Sequence, residues 1–194
     1  MGFSARWMRI ECAAEMRRAR VIALTLFAAA VMVIWIVCIA NRDRKPADIW
    51  LYAGLSLAAC GLVMGPMIIM TGEDWLIRHT AYGRALTALG DPAALIAEID
   101  REAAAGAEYA HTALLEHWLI LFVPSQERAG IAARPIPAAD IHRLVFSRAD
   151  AACVRMEAVG KDGALGCAVI DSQEEWSAVA QWTDAREIKT EWIY

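Results

Sequence analysis

The chain has 194 residues, is 58% hydrophobic, and carries 19 Lys and Arg against 23 Asp and Glu. That length holds one modest domain plus membrane segments and excludes two large domains. The formal charge of −4 argues against a nucleic-acid partner, which requires a basic surface.

Charge is divided along the chain. Residues 1–70 hold eight basic and four acidic side chains, whereas residues 71–194 hold eleven and nineteen. An acidic C-terminal part also argues against strong attraction to anionic lipid headgroups.

Residues 1–20, MGFSARWMRIECAAEMRRAR, are an arginine-rich N-terminal segment. Residues 21–40, VIALTLFAAAVMVIWIVCIA, contain no charge, and neither do residues 49–70, IWLYAGLSLAACGLVMGPMIIM, which Asp48 flanks. Each run reaches the roughly 20 residues a helix needs to cross about 30 Å of hydrocarbon. Neither has the polar face of a helix on a soluble protein. The expected arrangement is a two-helix transmembrane hairpin over 21–70. Pro66 lies inside the second span, which neighbouring helices make tolerable in lipid. Trp50 and Tyr52 before it and Trp75 after it suit the aromatic belts of the two interfaces. Gly54, Ala58, Gly61 and Gly65 form a stripe of small residues on which either the first span or a second copy can pack closely.

Two spans leave both termini on one side. Arg6, Arg9, Arg17, Arg18, Arg20, Arg78 and Arg84 flank the hairpin, against Arg42, Arg44 and Lys45 in the connecting NRDRKPAD loop. The positive-inside bias then expects a multi-pass protein of the cell membrane with cytoplasmic N- and C-termini. Other targeting signals fit less well. The first apolar run is longer than a secretory signal core, and the LAAC box at Cys60 lies behind a complete span. MGFSAR has Arg6 where a myristoylation site needs Ser or Thr.

Residues 71–107 read as a juxtamembrane helical corner. Over 76–89, Tyr82, Leu86 and Leu89 share a helix face, weakened by Gly83. Gly90 ends that helix, Asp91 caps the next and Pro92 takes its first position. Leu95, Ile96, Ile99 and Ala103 form the next apolar stripe. Glu98, Asp100 and Glu102 are read as a solvated margin of that helix, with Arg101 facing away.

An α+β domain is expected over 108–194. HWLILFVP (117–124) is a dense apolar strand, too short to cross a bilayer as a helix. Pro135 and Pro137 hold an extended lead-in to a strand near 141–148. Residues 152–159 and 164–170 flank GKDG as a hairpin. Ser172 and Glu175 form a capping box opening a helix over 173–184, with Trp176, Val179 and Ala180 inward. Helix, antiparallel strands and helix in that order give a small antiparallel sheet with flanking helices.

These motifs in this order resemble an uncharacterised family of small bacterial two-span membrane proteins. The matching positions are Gly90-Asp91-Pro92, Glu98-Ile99-Asp100 with Glu102, Trp118-Leu119, Pro137 with Asp140-Ile141, and Asp162-Gly163. The strand order more loosely resembles bacterial PH-like domains, through Trp118-Leu119-Ile120 and Ile136-Pro137 with Asp140-Ile141. Leu115 stands where that pattern has Thr, and His142-Arg143-Leu144 where it has aromatic residues. Neither resemblance implies an activity or a catalytic residue.

Cys12, Cys38, Cys60, Cys153 and Cys167 form no CxxC pair, which fits a reducing compartment better than a disulfide framework. His111, Glu116, His117 and His142 are the candidates for an enzyme acting at the membrane. HTALLEH has the spacing of neither HExxH nor HxxEH. On one straight strand, His111 and His117 would stand about 20 Å apart, beyond the reach of a single ion. No nucleophile elbow, phosphate loop or dinucleotide fingerprint occurs. The expectation is therefore a non-catalytic domain, anchored in the bilayer by two spans, with no cofactor or metal, that binds a protein partner or self-associates. A membrane enzyme and a PH-like lipid sensor are the alternatives.

Overall fold

The computed structural model describes residues 2–40, 47–124, 130–150 and 153–193. The loop arginines, Arg42 and Arg44, and Lys45 lie outside them. The fold is α+β, with seven α-helices and two four-stranded sheets among these residues. The chain forms two compact units, residues 12–76 and residues 1–11 joined with 77–194.

The first unit holds helices α2 (Ala13–Ala40) and α3 (Ala47–Thr71), which lie side by side, and most of α4 (Glu73–His79). Within α2, Ala13–Ile36 is long and apolar enough to cross a membrane by length and composition, and its apolar window is wholly unburied. Leu24, Val33 and Ile36 are all exposed. In α3 the qualifying apolar stretch among the described residues is shorter, Gly54–Gly65. Ala29, Val33, Tyr52, Leu55, Ala58 and Leu62 line a cleft between the two helices. Among the described residues, a Cβ added at Gly54, Gly61 or Gly65 would meet nothing within 4 Å.

The second unit is built from both ends of the chain. Strands β1 (Ala107–Glu108), β2 (Thr112–Leu114), β3 (Trp118–Pro124) and β4 (Ile131–Pro137) form an antiparallel meander. Strands β5 (Arg143–Arg148), β6 (Val154–Gly160) and β7 (Gly163–Ile170) form an antiparallel second sheet. Strand β8 (Lys189–Ile193) adds to β5 in parallel after the crossover helix α7 (Gln173–Asp184).

Period-two alternation builds the core. Leu119 and Leu121 of β3, Leu144 and Phe146 of β5, Met156 and Ala158 of β6, and Ala168 and Ile170 of β7 are buried together. Val179 and Trp182 of α7 complete that cluster. The alternate side of β3 is buried as well, so its first five residues are all interior. That explains an apolar run without alternation, since a strand covered on both faces has no polar side. The lead-in holding Pro135 and Pro137 is itself strand β4, which pairs with β3 and stands at the outer edge of its sheet. An edge is where a proline's missing N–H costs nothing.

The N-terminal helix α1 (Phe3–Glu11) and α5 (Ala81–Leu89) pack on β4, α6 (Pro92–Ala103) packs on both of these helices, and α1 reaches β3 through Trp7. The Trp7 indole stacks on Phe122 at 3.9 Å between ring centroids. Ser4 N–H donates to Asp100 Oδ1 at 2.7 Å, so Asp100 caps α1. Ser4 Oγ and the Tyr82 hydroxyl share a hydrogen bond of 3.0 Å. Burial pushes the Tyr82 phenol well above its usual range; the Ser4 hydrogen bond works against this and the Asp100 charge adds to it. Glu11, only 4% exposed, accepts from Ala81 N–H at 2.6 Å and Tyr82 N–H at 3.4 Å. A carboxylate at a helix N-terminus meets both free N–H groups and the favourable end of the dipole. Arg6 pairs with Glu108.

The helical corner differs from the expected single helix over 76–89. Thr80 interrupts it, capping α5 through Gly83 N–H at 2.9 Å. Leu89 is 43% exposed while Tyr82 and Leu86 are fully buried. Gly83, which weakens the helical reading, is there for contact: a Cβ would fall 2.2 Å from the Ile77 carbonyl oxygen. Gly83→Ala is therefore expected to destabilise the unit by about 2 kcal/mol, within the usual cost of overpacking. Thermal unfolding of the purified variant measures it.

Candidate functional site

Two clusters of ionisable groups are built where helices meet the β1–β4 sheet. The first forms at the end of α6. Glu98 and Glu102 stand one helical turn apart there. The Trp118 indole donates to Glu98 Oε1 at 3.0 Å. His117, in the turn before β3, donates its backbone N–H to Glu102 Oε2 at 2.8 Å, and its Nδ1 lies 2.6 Å from Glu102 Oε1. The carboxylates expected on a solvated margin are thus all engaged: Asp100 with α1, Glu98 with Trp118, and Glu102 with His117. Helical periodicity assigns a face, but it does not show which loop lies over it.

Glu102 raises the His117 pKa above its ordinary 6.5, first through the hydrogen bond and then through its charge; Glu116 and Glu98 add to this. A raised folded-state pKa stabilises the fold below the unfolded value, and that contribution is lost as pH rises through the folded one. The His117 imidazole is accordingly expected to titrate above 6.5 by NMR, and Glu102→Gln to bring its midpoint back down.

Glu116, His117 and His142 line one open cleft of about 740 Å³ with Arg186 and Lys189. Three of the four candidates from the sequence therefore share a cleft, whose lining among the described residues holds no Ser, Thr or Cys. Arg186 also borders a neighbouring cleft of about 510 Å³, with Glu102, Tyr109 and Trp182. Its guanidinium is committed to structure. It donates to the carbonyls of Leu115, Glu116 and Trp182 at 2.7–3.2 Å and sits 4.5 Å from the Trp182 ring centroid. Partial burial lowers its pKa, and Glu116 and Glu102 oppose this. The Trp182 indole also donates to the Leu115 carbonyl at 2.7 Å. Together Trp182 and Arg186 fasten the end of α7 to the turn between β2 and β3.

The second cluster holds His111, apart from the other candidates. Glu175, 1% exposed, accepts from His111 N–H at 3.1 Å and from Thr112 Oγ1 at 2.7 Å, both on Oε1. Its Oε2 lies 3.2 Å from His111 Nδ1. Asp171 Oδ1 lies 3.7 Å from the same nitrogen. Ser172 Oγ accepts from Glu175 N–H at 3.5 Å, which is half of the expected capping box. The other half is absent because the Glu175 carboxylate turns to β2 instead. Asp171 was not among the candidates, since it approaches His111 only through the fold, 60 residues along the chain.

No protein-family model matches the chain, and no curated protein matches it.

Proposed function

We propose that the protein is a membrane-anchored, non-catalytic domain that binds a protein partner or self-associates, with both termini in the cytoplasm. One observation carries the anchoring. Helix α1 folds into the same unit as residues 77–194, so the chain leaves that unit at Glu11 and returns to it at Ile77. A segment that begins and ends on one body crosses a bilayer an even number of times. Helix α2 meets the length and composition of a span. Helix α3 has 25 residues, about 37 Å at 1.5 Å per residue, long enough for the return. A hairpin of both places the arginines of residues 1–20 and the α+β unit on the positive side.

The non-catalytic reading rests on the His117 ring being held by Glu102 and the Arg186 guanidinium by backbone carbonyls, which commits two of the groups in the larger cleft to structure. Partner binding is favoured over lipid-headgroup binding by the excess of acidic residues after residue 70. The open glycines of α3 offer one surface for close helix packing within the bilayer. The four-strand meander, the three-strand meander and the following helix are also the order expected of a PH-like domain, with β8 as an addition. Crosslinking in native membranes followed by affinity capture tests the reading. It expects a discrete larger species, and recovery of monomer alone would remove its basis.

A further inference from the structure

We propose that His111, Asp171 and Glu175 form a binding site for a divalent transition cation, with zinc the best fit. Three groups of ligating type converge from three elements: the entry to β2, the turn before α7, and the first turn of α7. Ligand atoms around a tetrahedral ion with bonds near 2.0–2.1 Å stand about 3.3 Å apart. The separations from His111 Nδ1, 3.2 Å to Glu175 Oε2 and 3.7 Å to Asp171 Oδ1, bracket that value. All three ligand atoms lie within 4.8 Å of one another.

The Glu98, Glu102 and His117 cluster meets the same loose criterion but fails this one. Its His117–Glu102 separation of 2.6 Å is that of a short charged hydrogen bond and is too close for two ligands of one ion.

The supporting groups favour ligation as well. Thr112 Oγ1 and the His111 N–H hold Glu175 Oε1, which leaves Oε2 as the oxygen aimed at the site. Oriented carboxylates of this kind raise metal affinity, because their hydrogen-bonded partners fix the ligand before the ion arrives. Glu175 is buried, whereas Asp171 is 59% exposed, so an ion can enter from the Asp171 side. The N-terminal dipole of α7 opposes a cation with about half a charge, but two carboxylates outweigh it. One nitrogen and two oxygens suit zinc, with a fourth position left for water. The bound ion would pin the start of α7 to β2.

The test uses the full chain in detergent, stripped with a chelator and titrated with Co²⁺ as a visible probe, then with Zn²⁺. One equivalent of Co²⁺ is expected to give the absorption of a low-coordinate ion without a sulfur charge-transfer band, and Zn²⁺ is expected to displace it. Asp171→Asn, at an exposed position that tolerates change, and His111→Ala should each weaken binding about tenfold or more. His117→Ala should leave it unchanged. Absence of saturable binding, a sulfur band from a cysteine, or equal binding by Asp171→Asn would each overturn the proposal.

Discussion

Replacing Trp7 with alanine is expected to cost the α+β unit about 3–5 kcal/mol, the usual loss for truncating a buried large aromatic. The indole is 8% exposed and stacks on Phe122 of the central strand β3, with Phe3 beside it. Its removal leaves a cavity under α1 and frees the helix whose far end carries the Glu11 cap on α5. Trp7→Phe should behave differently. The Trp7 Nε1 is buried without a hydrogen-bond partner among the described residues, so phenylalanine keeps a ring on Phe122 and removes a costly donor. A loss of less than about 1.5 kcal/mol is expected for that variant. Thermal unfolding compares the two, and trypsin cleavage at Arg6 and Arg9 reports on α1 directly. Equal stability of Trp7→Ala and the parent would mean that α1 is not part of the unit.

The second large effect is expected at Glu175. Glu175→Ala removes the partner of the His111 N–H, the Thr112 hydroxyl and the His111 ring, and leaves the buried hydroxyl and the part-buried N–H unpaired. At about 1–3 kcal/mol for each stranded group, a loss of about 3 kcal/mol follows in chelator-treated protein. Glu175→Gln keeps Oε1 as an acceptor for the His111 N–H and the Thr112 hydroxyl, so it should lose much less. Denaturant unfolding of both variants decides the point. Comparable losses would show that the carboxylate matters for its charge rather than for its hydrogen bonds.

The sequence made local features legible and left their neighbours hidden. Helix α7 spans residues 173–184 as the capping residue and inward periodicity indicate, and α6 begins at Pro92 behind an Asp91 cap. Both boundaries depend on chemistry within four residues. The β6–β7 hairpin follows from GKDG for the same reason, with Gly163 at a φ of 129° that suits glycine. Strands β1, β2 and β8 are short or exposed, and they carry too little pattern to be seen. Helix α1 is amphipathic, but its nine residues run directly into an arginine-rich approach to an apolar span, so its affinity for β3 is not visible along the chain. The site residues follow the same rule. His111, Glu116, His117 and His142 stand out by type, whereas Asp171 and the second role of Glu175 depend on contacts 60 or more residues away.

The proposed bilayer hairpin lies between two chain segments, residues 1–11 and 77–194, that fold into one body. Single cysteines at Ser4, Lys45 and Lys161 in a background without native cysteines, probed with a membrane-impermeant maleimide in right-side-out and inverted vesicles, test it most directly. Positions 4 and 161 should label, in denatured or urea-opened form for the buried Ser4, only from the cytoplasmic face, and position 45 only from the opposite one. Labelling of positions 45 and 161 from the same face, or of 4 and 161 from different faces, would contradict it.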